Sequence, residues 1–404
     1  MRATGHPGIE REHFRTPLRP SPFHPRLAAA SRQQRWIRWA GCLSPEVLDS
    51  VEQEYFAIRN QASLYDVSPM CKYRIEGPDA ERFANRLVTR DVTRLAPNRV
   101  AYVVWCNDAG RVIDDGTLFR LGPAEFMLCA QEHHLAWLLD SAAGLQVTIA
   151  EVTEALCGLA LQGPTSCAVL KRLGLGGIEL LRPFAIAAFR VDGIALTVSR
   201  TGFTGDLGYE LWLDPGDALT LWDRLAVAGR DHGLRPIGSL ALDMARIEAG
   251  FIMTGVDFLP ADHVIRPNRG RSPFELGLDR LVDFEKGHFV GRRALLREKE
   301  GKSSRCRLVG LDIAGNKPAA HALLYHGKET EVGQVTSALW SPTVKKNIAL
   351  ATLDARHADG SHAIWADIYV QKELKWSRAP APCRIVERPF FNPPRRTAVP
   401  AGER

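Results

Sequence analysis

The sequence has 404 residues and a net charge of +6, with Lys and Arg interspersed among Asp and Glu. This length exceeds a single hydrophobic core, so we expect two or three domains. The positive charge is neither clustered nor joined to a recognition motif, which argues against a nucleic-acid partner. The net charge is still compatible with a basic cleft that binds a small anion.

Eight cysteines occur without any C-x-x-C pair and without histidines at zinc-finger spacing. In a chain this long, that pattern predicts reduced thiols in a cytoplasmic protein. No apolar run suits a signal peptide or a membrane span, so we expect no membrane partner. Metal-site signatures such as H-E-x-x-H are missing, and the sequence predicts no metal site.

In chain order, residues 1–26 are rich in Pro, Arg and His and predict a disordered basic arm. "LSPEVLDSVEQEYFAIRNQ" predicts a helix that starts at Ser-Pro-Glu. "RVAYVVWCNDAGRVIDDGTLFRLG" predicts two strands around an Asn-Asp-Ala-Gly turn. "EHHLAWLLDSAAG" predicts a helix, on which the adjacent His133 and His134 are expected to be surface residues.

The stretch "SRTGFTGDLGYELWL" carries Gly202, Gly205 and Gly208. A phosphate loop is excluded because no Lys-Ser or Lys-Thr follows and because "YELWLD" alternates like a strand. The pattern predicts a glycine-rich hairpin between two strands. After about Gly291, short strands separated by turns predict an all-β terminal domain, either a sandwich or a barrel.

On the local sequence pattern alone, each candidate functional residue can also have a purely structural role. Asp114 and Asp115 are adjacent in a strand, so only one is expected to face a pocket, and both can be solvated. Glu210 can form a cross-strand salt bridge, and Trp39 and Trp105 can be core residues. From these patterns alone, the chain is a multi-domain protein with the features of an enzyme.

Several motifs occur together in one order: "YDVSPM", "IEGPDAERF", "GRVIDDGTL", "LALQGP", "RTGFTGDLGYELW", "ARIEAG" and "VTSALWSPT". In this combination the chain resembles the tetrahydrofolate-dependent aminomethyltransferase family, whose founding member is the glycine cleavage T-protein. The resemblance implies an α+β fold with three domains in a ring around a central folate channel and an all-β C-terminal domain.

The resemblance also implies domain limits. The first folate-binding domain is discontinuous and takes residues 27–67 and 156–254. The second α+β domain takes residues 68–155 and 255–290. The C-terminal β-domain takes residues 291–388, and a tail takes 389–404.

By this resemblance, Glu210 grips the pterin ring of tetrahydrofolate, because a carboxylate accepts two neighbouring N–H donors in a fork. The glycines before it would let the backbone approach the ring. Asp114 stands at the position of the family's catalytic aspartate. Tyr102 and Met70 match pocket-lining positions, and the predicted folate contacts also include Phe203 and Trp105.

Two departures concern the donor side of the pocket. Phe203 replaces the tyrosine of the family hairpin, and Leu242 replaces an arginine that contacts folate. These changes resemble the demethylase branch, which acts on methoxylated aromatic acids such as vanillate, syringate or dicamba. The resemblance then implies transfer of a methyl group to N5 of tetrahydrofolate.

On this interpretation Trp39 and Trp105 would stack on the aromatic substrate. Arg246 would be either structural or a partner for its acid group. The expected partners are a small-molecule donor and no lipoyl protein, and the chain is expected to be a monomer. The alternatives are a glycine-cleavage aminomethyltransferase and a non-catalytic folate-binding protein; His288, where the latter has a cysteine, argues against it.

Overall fold

The computed structural model describes residues 17–327 and 329–400. The strands are β1 (Arg19–Pro20), β2 (Arg35–Trp39), β3 (Cys42–Val47), β4 (Ala62–Asp66), β5 (Cys71–Glu76), β6 (Arg99–Cys106), β7 (Val112–Gly122), β8 (Glu125–Ala130), β9 (Thr148–Glu151), β10 (Cys157–Gln162), β11 (Ile186–Val191), β12 (Ile194–Ser199), β13 (Gly208–Leu213), β14 (Leu234–Pro236), β15 (Cys306–Ile313), β16 (Leu323–His326), β17 (Thr330–Ser341), β18 (Lys346–Asp354), β19 (Ile364–Lys372) and β20 (Lys375–Val386). The helices are α1 (His24–Ala30), α2 (Val51–Asn60), α3 (Ala80–Leu87), α4 (Leu135–Ser141), α5 (Ser166–Leu173), α6 (Ala218–Ala228), α7 (Ser239–Glu248) and α8 (Arg292–Gly301).

Two sheets form the body of the molecule. The first has the strand order β11-β12-β13-β10-β4-β14, and the second has the order β6-β7-β8-β5-β9. They share one apolar cluster, in which the rings of Phe119 and Trp212 meet edge to face with centroids 6.0 Å apart. Burying apolar faces against each other stabilises both sheets. Phe119 belongs to the strand of Asp114 and Trp212 to the strand of Glu210, so both strands pack on this cluster.

The C-terminal strands close into a barrel of order β15-β18-β17-β16-β19-β20. This confirms the predicted all-β end and selects a barrel over a sandwich. Buried polar bonds attach the barrel to α7: Arg246 donates to Ser337 Oγ at 2.8 Å, and Ser341 donates to Glu248. Glu248 also accepts the Tyr55 hydroxyl at 2.6 Å. The "ARIEAG" motif therefore joins the barrel to the first sheet's helices.

The prediction of a disordered arm to residue 26 is wrong for the part that the structure describes. Arg19 and Pro20 pair in parallel with β3, and Phe23 and Leu27 are fully buried. Phe23 packs against Trp222, with ring centroids 6.0 Å apart. These apolar residues dock a segment whose composition alone suggested disorder. The remainder of the predicted arm, residues 1–16, lies outside the described residues.

The predicted helix start at Ser-Pro-Glu is also wrong. Ser44, Pro45 and Glu46 lie in β3, which pairs with β1 and β2, and α2 begins later. Its N-cap is Ser50, whose hydroxyl accepts the Gln53 N–H at 3.4 Å. Pairing with two neighbouring strands outweighs the local helix signal, and a register shift in the β2–β3 pair accommodates the proline.

The eight cysteines all lie in described segments and are free thiols. Over residues 17–327 and 329–400, none of the helices has the length and apolar character needed to cross a bilayer. The domain limits given above stay our proposal. The barrel itself starts at Cys306, after α8.

Candidate active site

The glycine-rich stretch joins β12 to β13, which confirms the predicted hairpin. Its loop is organised by the side chain of Gln162, the last residue of β10. The amide nitrogen of Gln162 donates to the carbonyls of Thr201 and Tyr209 at 3.1 and 3.2 Å. The amide oxygen accepts the Thr204 hydroxyl at 3.0 Å. One buried amide therefore ties together both ends of the loop.

The three glycines are explained by contacts inside the protein. A Cβ atom on Gly202 or Gly208 would overlap the side chain of Gln162. Gly205 has a left-handed φ of +69°, and a Cβ there would overlap Ala249. The sequence interpretation reserved this space for a ligand, whereas the structure fills it with Gln162 and Ala249.

Glu210 lies in β13, opposite Ser199 of β12, and only 8% of its surface is exposed. Its Oε2 accepts the hydroxyls of Thr201 at 2.6 Å and Ser199 at 3.5 Å. Burial raises the pKa of Glu210, and the two hydroxyl bonds oppose that rise. Among the described residues Glu210 forms no ion pair, so the alternative of a cross-strand salt bridge is not seen. A cationic or N–H-bearing ligand would meet an uncompensated buried carboxylate.

Asp114 lies in β7 and is completely buried. Its Oδ2 lies 2.8 Å from Nε2 of His134, and its Oδ1 accepts the Asp115 N–H at 2.9 Å and the Thr254 hydroxyl. The expectation that His134 is a surface residue is wrong, because its side chain is 1% exposed. The helix begins at Leu135, so His134 precedes it as the N-cap and is free to turn inward.

His134 has a second ring nitrogen that is available for chemistry. Its Nδ1 is buried and has no hydrogen-bond partner within the described chain. The ring stands edge to face with Trp105, with centroids 5.4 Å apart, and the backbone N–H of His134 donates to the Tyr73 hydroxyl at 2.7 Å. No sequence motif pointed to this residue, because the contact with Asp114 spans two strands of the sheet.

Asp115 also takes part in this cluster, although adjacent strand residues were expected to point apart. It accepts the Tyr102 hydroxyl at 2.6 Å, and the Thr254 hydroxyl contacts both carboxylates. A register shift in the β6–β7 pair, next to Asp114, breaks the strict alternation of faces. Burial, followed by the charge of Asp114, raises the pKa of Asp115 to about 7.

The remaining predicted residues fall into two groups. Trp39 and Met70 are partly exposed and pack on the cluster shared by the two sheets, with Trp39 stacked on Tyr65 at 6.1 Å. Leu242 packs on the same cluster. Phe203 is half-buried and stacked on Phe251, with centroids 5.6 Å apart.

Trp105 and Arg246 lie inside the fold. Trp105 is fully buried; its ring contacts His134, and its backbone pairs with Asp114 across β6 and β7. Arg246 is fully buried and paired with Asp257, and it donates to Asp243 at 2.7 Å and to Ser337. Because its guanidinium is already hydrogen-bonded by the protein, Arg246 fits the structural one of its two interpretations.

The fold is that of a known class of one-carbon transferase. The chain is similar to the solved aminomethyltransferase T of the glycine cleavage system from Bartonella henselae, with a TM-score of 0.80 and 26% identity over 93% of this chain and 98% of that one. The GCVT N-terminal domain matches residues 13–286, and the glycine cleavage T-protein C-terminal barrel domain matches residues 307–392. The chain belongs to this T-protein family.

Two curated relatives bear different names. An aminomethyltransferase from Caldanaerobacter subterraneus is 35% identical over 88% of this chain and 91% of its own length. A trimethylamine-oxide aldolase from Ruegeria pomeroyi is 36% identical over 92% of this chain, which spans 47% of that protein. The T-protein family binds tetrahydrofolate as a substrate. The relatives named here do not include an aromatic O-demethylase.

Proposed function

We propose that this protein transfers a one-carbon unit to tetrahydrofolate in an aminomethyltransferase-type reaction. The observation that carries the proposal is Glu210, a buried carboxylate with no cationic partner in the described chain, held by two hydroxyls on one oxygen. The pterin edge of tetrahydrofolate presents adjacent N–H donors of the kind that such a carboxylate binds. The family assignment and the aminomethyltransferase relatives support this function over the demethylase interpretation.

Asp114 is the group we assign to proton handling. When both reacting nitrogens of tetrahydrofolate bond to the carbon of an aminomethylated thiol, the carbon–nitrogen and carbon–sulfur bonds of the donor break. The two protons lost by the folate nitrogens end on the leaving groups, which are released as ammonia and a free thiol. Asp114 can accept one of these protons, and His134, bonded to its other side at 2.8 Å, can pass it on through its free Nδ1. Tyr102 and Thr254 hold Asp115 beside Asp114, so that the pair can share a proton.

A second candidate is methyl transfer from a methoxylated aromatic acid. It is favoured by three partly exposed apolar side chains, Trp39, Met70 and Leu242, which come from separate segments and pack on one cluster. Such a surface suits an aromatic donor better than an arginine-bearing one would. Glu210 and Asp114 would keep their roles, and 5-methyltetrahydrofolate would be the product.

One experiment distinguishes the two candidates. The full-length protein is incubated anaerobically with tetrahydrofolate and, separately, with aminomethylated lipoamide, vanillate, syringate or dicamba. Formation of 5,10-methylenetetrahydrofolate from the aminomethyl donor alone supports the main proposal. Formation of 5-methyltetrahydrofolate with a phenol overturns it in favour of the second candidate. If tetrahydrofolate binds and no donor reacts, both are overturned in favour of a binding protein.

A further inference from the structure

A cysteine, a histidine and a glutamate converge beside the candidate site. Cys71 Sγ, a His133 ring nitrogen and a Glu151 carboxylate oxygen all lie within 4.8 Å of one another. In the described chain this is the one group of three such side chains with metal-binding spacing. We propose that these residues bind a divalent metal ion of the zinc class.

The donor set fits this ion. Thiolate, imidazole and carboxylate are the three ligand types that Zn²⁺ takes from proteins. In a tetrahedral site with bonds of about 2.0–2.1 Å, nitrogen and oxygen ligands stand roughly 3.3–3.4 Å apart. His133 Nδ1 and Glu151 Oε1 are 3.4 Å apart. The separation of these two atoms therefore matches that of two ligands of one tetrahedral ion.

The surrounding groups orient the proposed ligands. The Thr153 hydroxyl donates to Glu151 Oε1 at 3.0 Å and itself accepts the Lys72 N–H at 3.1 Å. Glu151 and Tyr73 are paired across β9 and β5. Partners of this kind fix the position of metal ligands and contribute to metal affinity.

The cluster is open to solvent on one side, which leaves a path for the ion. Cys71 is fully buried, whereas the side chains of His133 and Glu151 are 42% and 29% exposed. The thiol thus lies at the base of the site and the other two ligands at its mouth.

The three residues lie on separate elements: Cys71 starts β5, His133 follows β8, and Glu151 ends β9. This explains why the sequence predicted no metal, since positions 71, 133 and 151 match no signature spacing. His133 directly precedes His134, the residue bonded to Asp114. A bound ion would join the segment that carries His134 to two strands of the second sheet.

The test is a titration of the full-length protein with Co²⁺, followed by competition with Zn²⁺, after chelator treatment and desalting. We expect a thiolate-to-cobalt charge-transfer band that Zn²⁺ removes. Cys71→Ser should abolish the band, and His133→Ala should weaken binding by at least about 100-fold. Cys383→Ser, a partly exposed thiol in the barrel, is the matched control and should leave the titration unchanged.

The absence of a charge-transfer band in the wild-type protein would overturn the proposal, as would a band that survives Cys71→Ser. If thermal unfolding shows that Cys71→Ser does not fold, Glu151→Gln takes its place, because Glu151 lies at the mouth of the site. This variant should weaken Co²⁺ binding. Unchanged binding in Glu151→Gln would remove this residue and overturn the three-ligand site. The readout uses neither tetrahydrofolate nor turnover, so its failure leaves the proposed function untouched.

Discussion

Nε2 of His134 lies 2.8 Å from Oδ2 of Asp114, and the two side chains are 1% and 0% exposed. In such a dry environment a hydrogen bond to a charged group is stronger than in water. The pair places an imidazole with a free Nδ1 directly behind the carboxylate that the family resemblance marks as catalytic. The first prediction tests its part in proton transfer.

We expect Asp114→Asn to lower kcat by about 10²–10⁴-fold, because an amide cannot accept the proton that the reaction releases. His134→Gln should lower kcat by a smaller factor and change its pH profile, with little change in KM for tetrahydrofolate. Steady-state kinetics over a pH series measures both effects. Asp108→Asn, in the exposed turn before β7, is the control. Equal losses in kcat and in folate binding would show that His134 is only structural.

Glu210→Gln should weaken tetrahydrofolate binding by roughly 10–100-fold, since a charge-assisted bond becomes a neutral one of the same shape. Calorimetry or fluorescence titration without a donor measures the affinity. Glu125→Gln, at the partly exposed start of β8, is a matched control that should bind folate normally. Unchanged affinity in Glu210→Gln would remove this residue from the site.

Asp115 should make stability depend on pH. Its folded pKa of about 7 lies above its ordinary value of 3.8, so the folded protein holds a proton that the unfolded chain has lost. Its contribution to the free energy of unfolding therefore falls as pH rises from about 4 to about 7, by up to about 4 kcal/mol. Asp115→Asn should remove this fall.

Denaturant unfolding of both proteins at a series of pH values measures the difference. Asp108→Asn should keep the wild-type dependence of the free energy of unfolding on pH. If Asp115→Asn also keeps this pH dependence, the proton resides on another group around Asp114.

Gly208→Ala should destabilise the protein by about 1–3 kcal/mol, because its Cβ would overlap Gln162. Gln162→Ala should also destabilise it, since the amide bonds to Thr201 and Tyr209 are lost. In the double variant the overlap is absent, so the two costs should not add, with a coupling of roughly 0.5–3 kcal/mol. Additive costs in denaturant unfolding would contradict the role assigned to Gln162.

Arg395 should stabilise the hairpin from the C-terminal tail. It donates to Asp206 Oδ1 at 2.6 Å and Oδ2 at 2.8 Å, and Arg59 lies 3.3 Å from the same carboxylate. Because Asp206 is buried, Arg395→Ala leaves it with a single cation and should weaken both stability and folate binding. Arg395→Lys should restore part of each. Thermal unfolding and folate titration check this, and unaffected binding would show that the tail does not support the site.

The sequence by itself determined the elements whose signals are local. Alternation in "YELWLD" indicated β13, the glycines indicated the hairpin, and short strands after Gly291 indicated the β-domain. The order of the motifs also pointed to the family and to Glu210 and Asp114. These signals work because strand periodicity and turn chemistry depend on residues that are neighbours in the chain.

Only the tertiary structure decided which distant groups meet. It placed His134 against Asp114, and it packed Gly202 and Gly208 against Gln162. It also formed a strand from Ser44–Glu46 and buried Phe23 in the core. Each of these outcomes rests on contacts between segments far apart in sequence, where burial and hydrogen bonding outweigh local propensity. No periodicity within a segment records them.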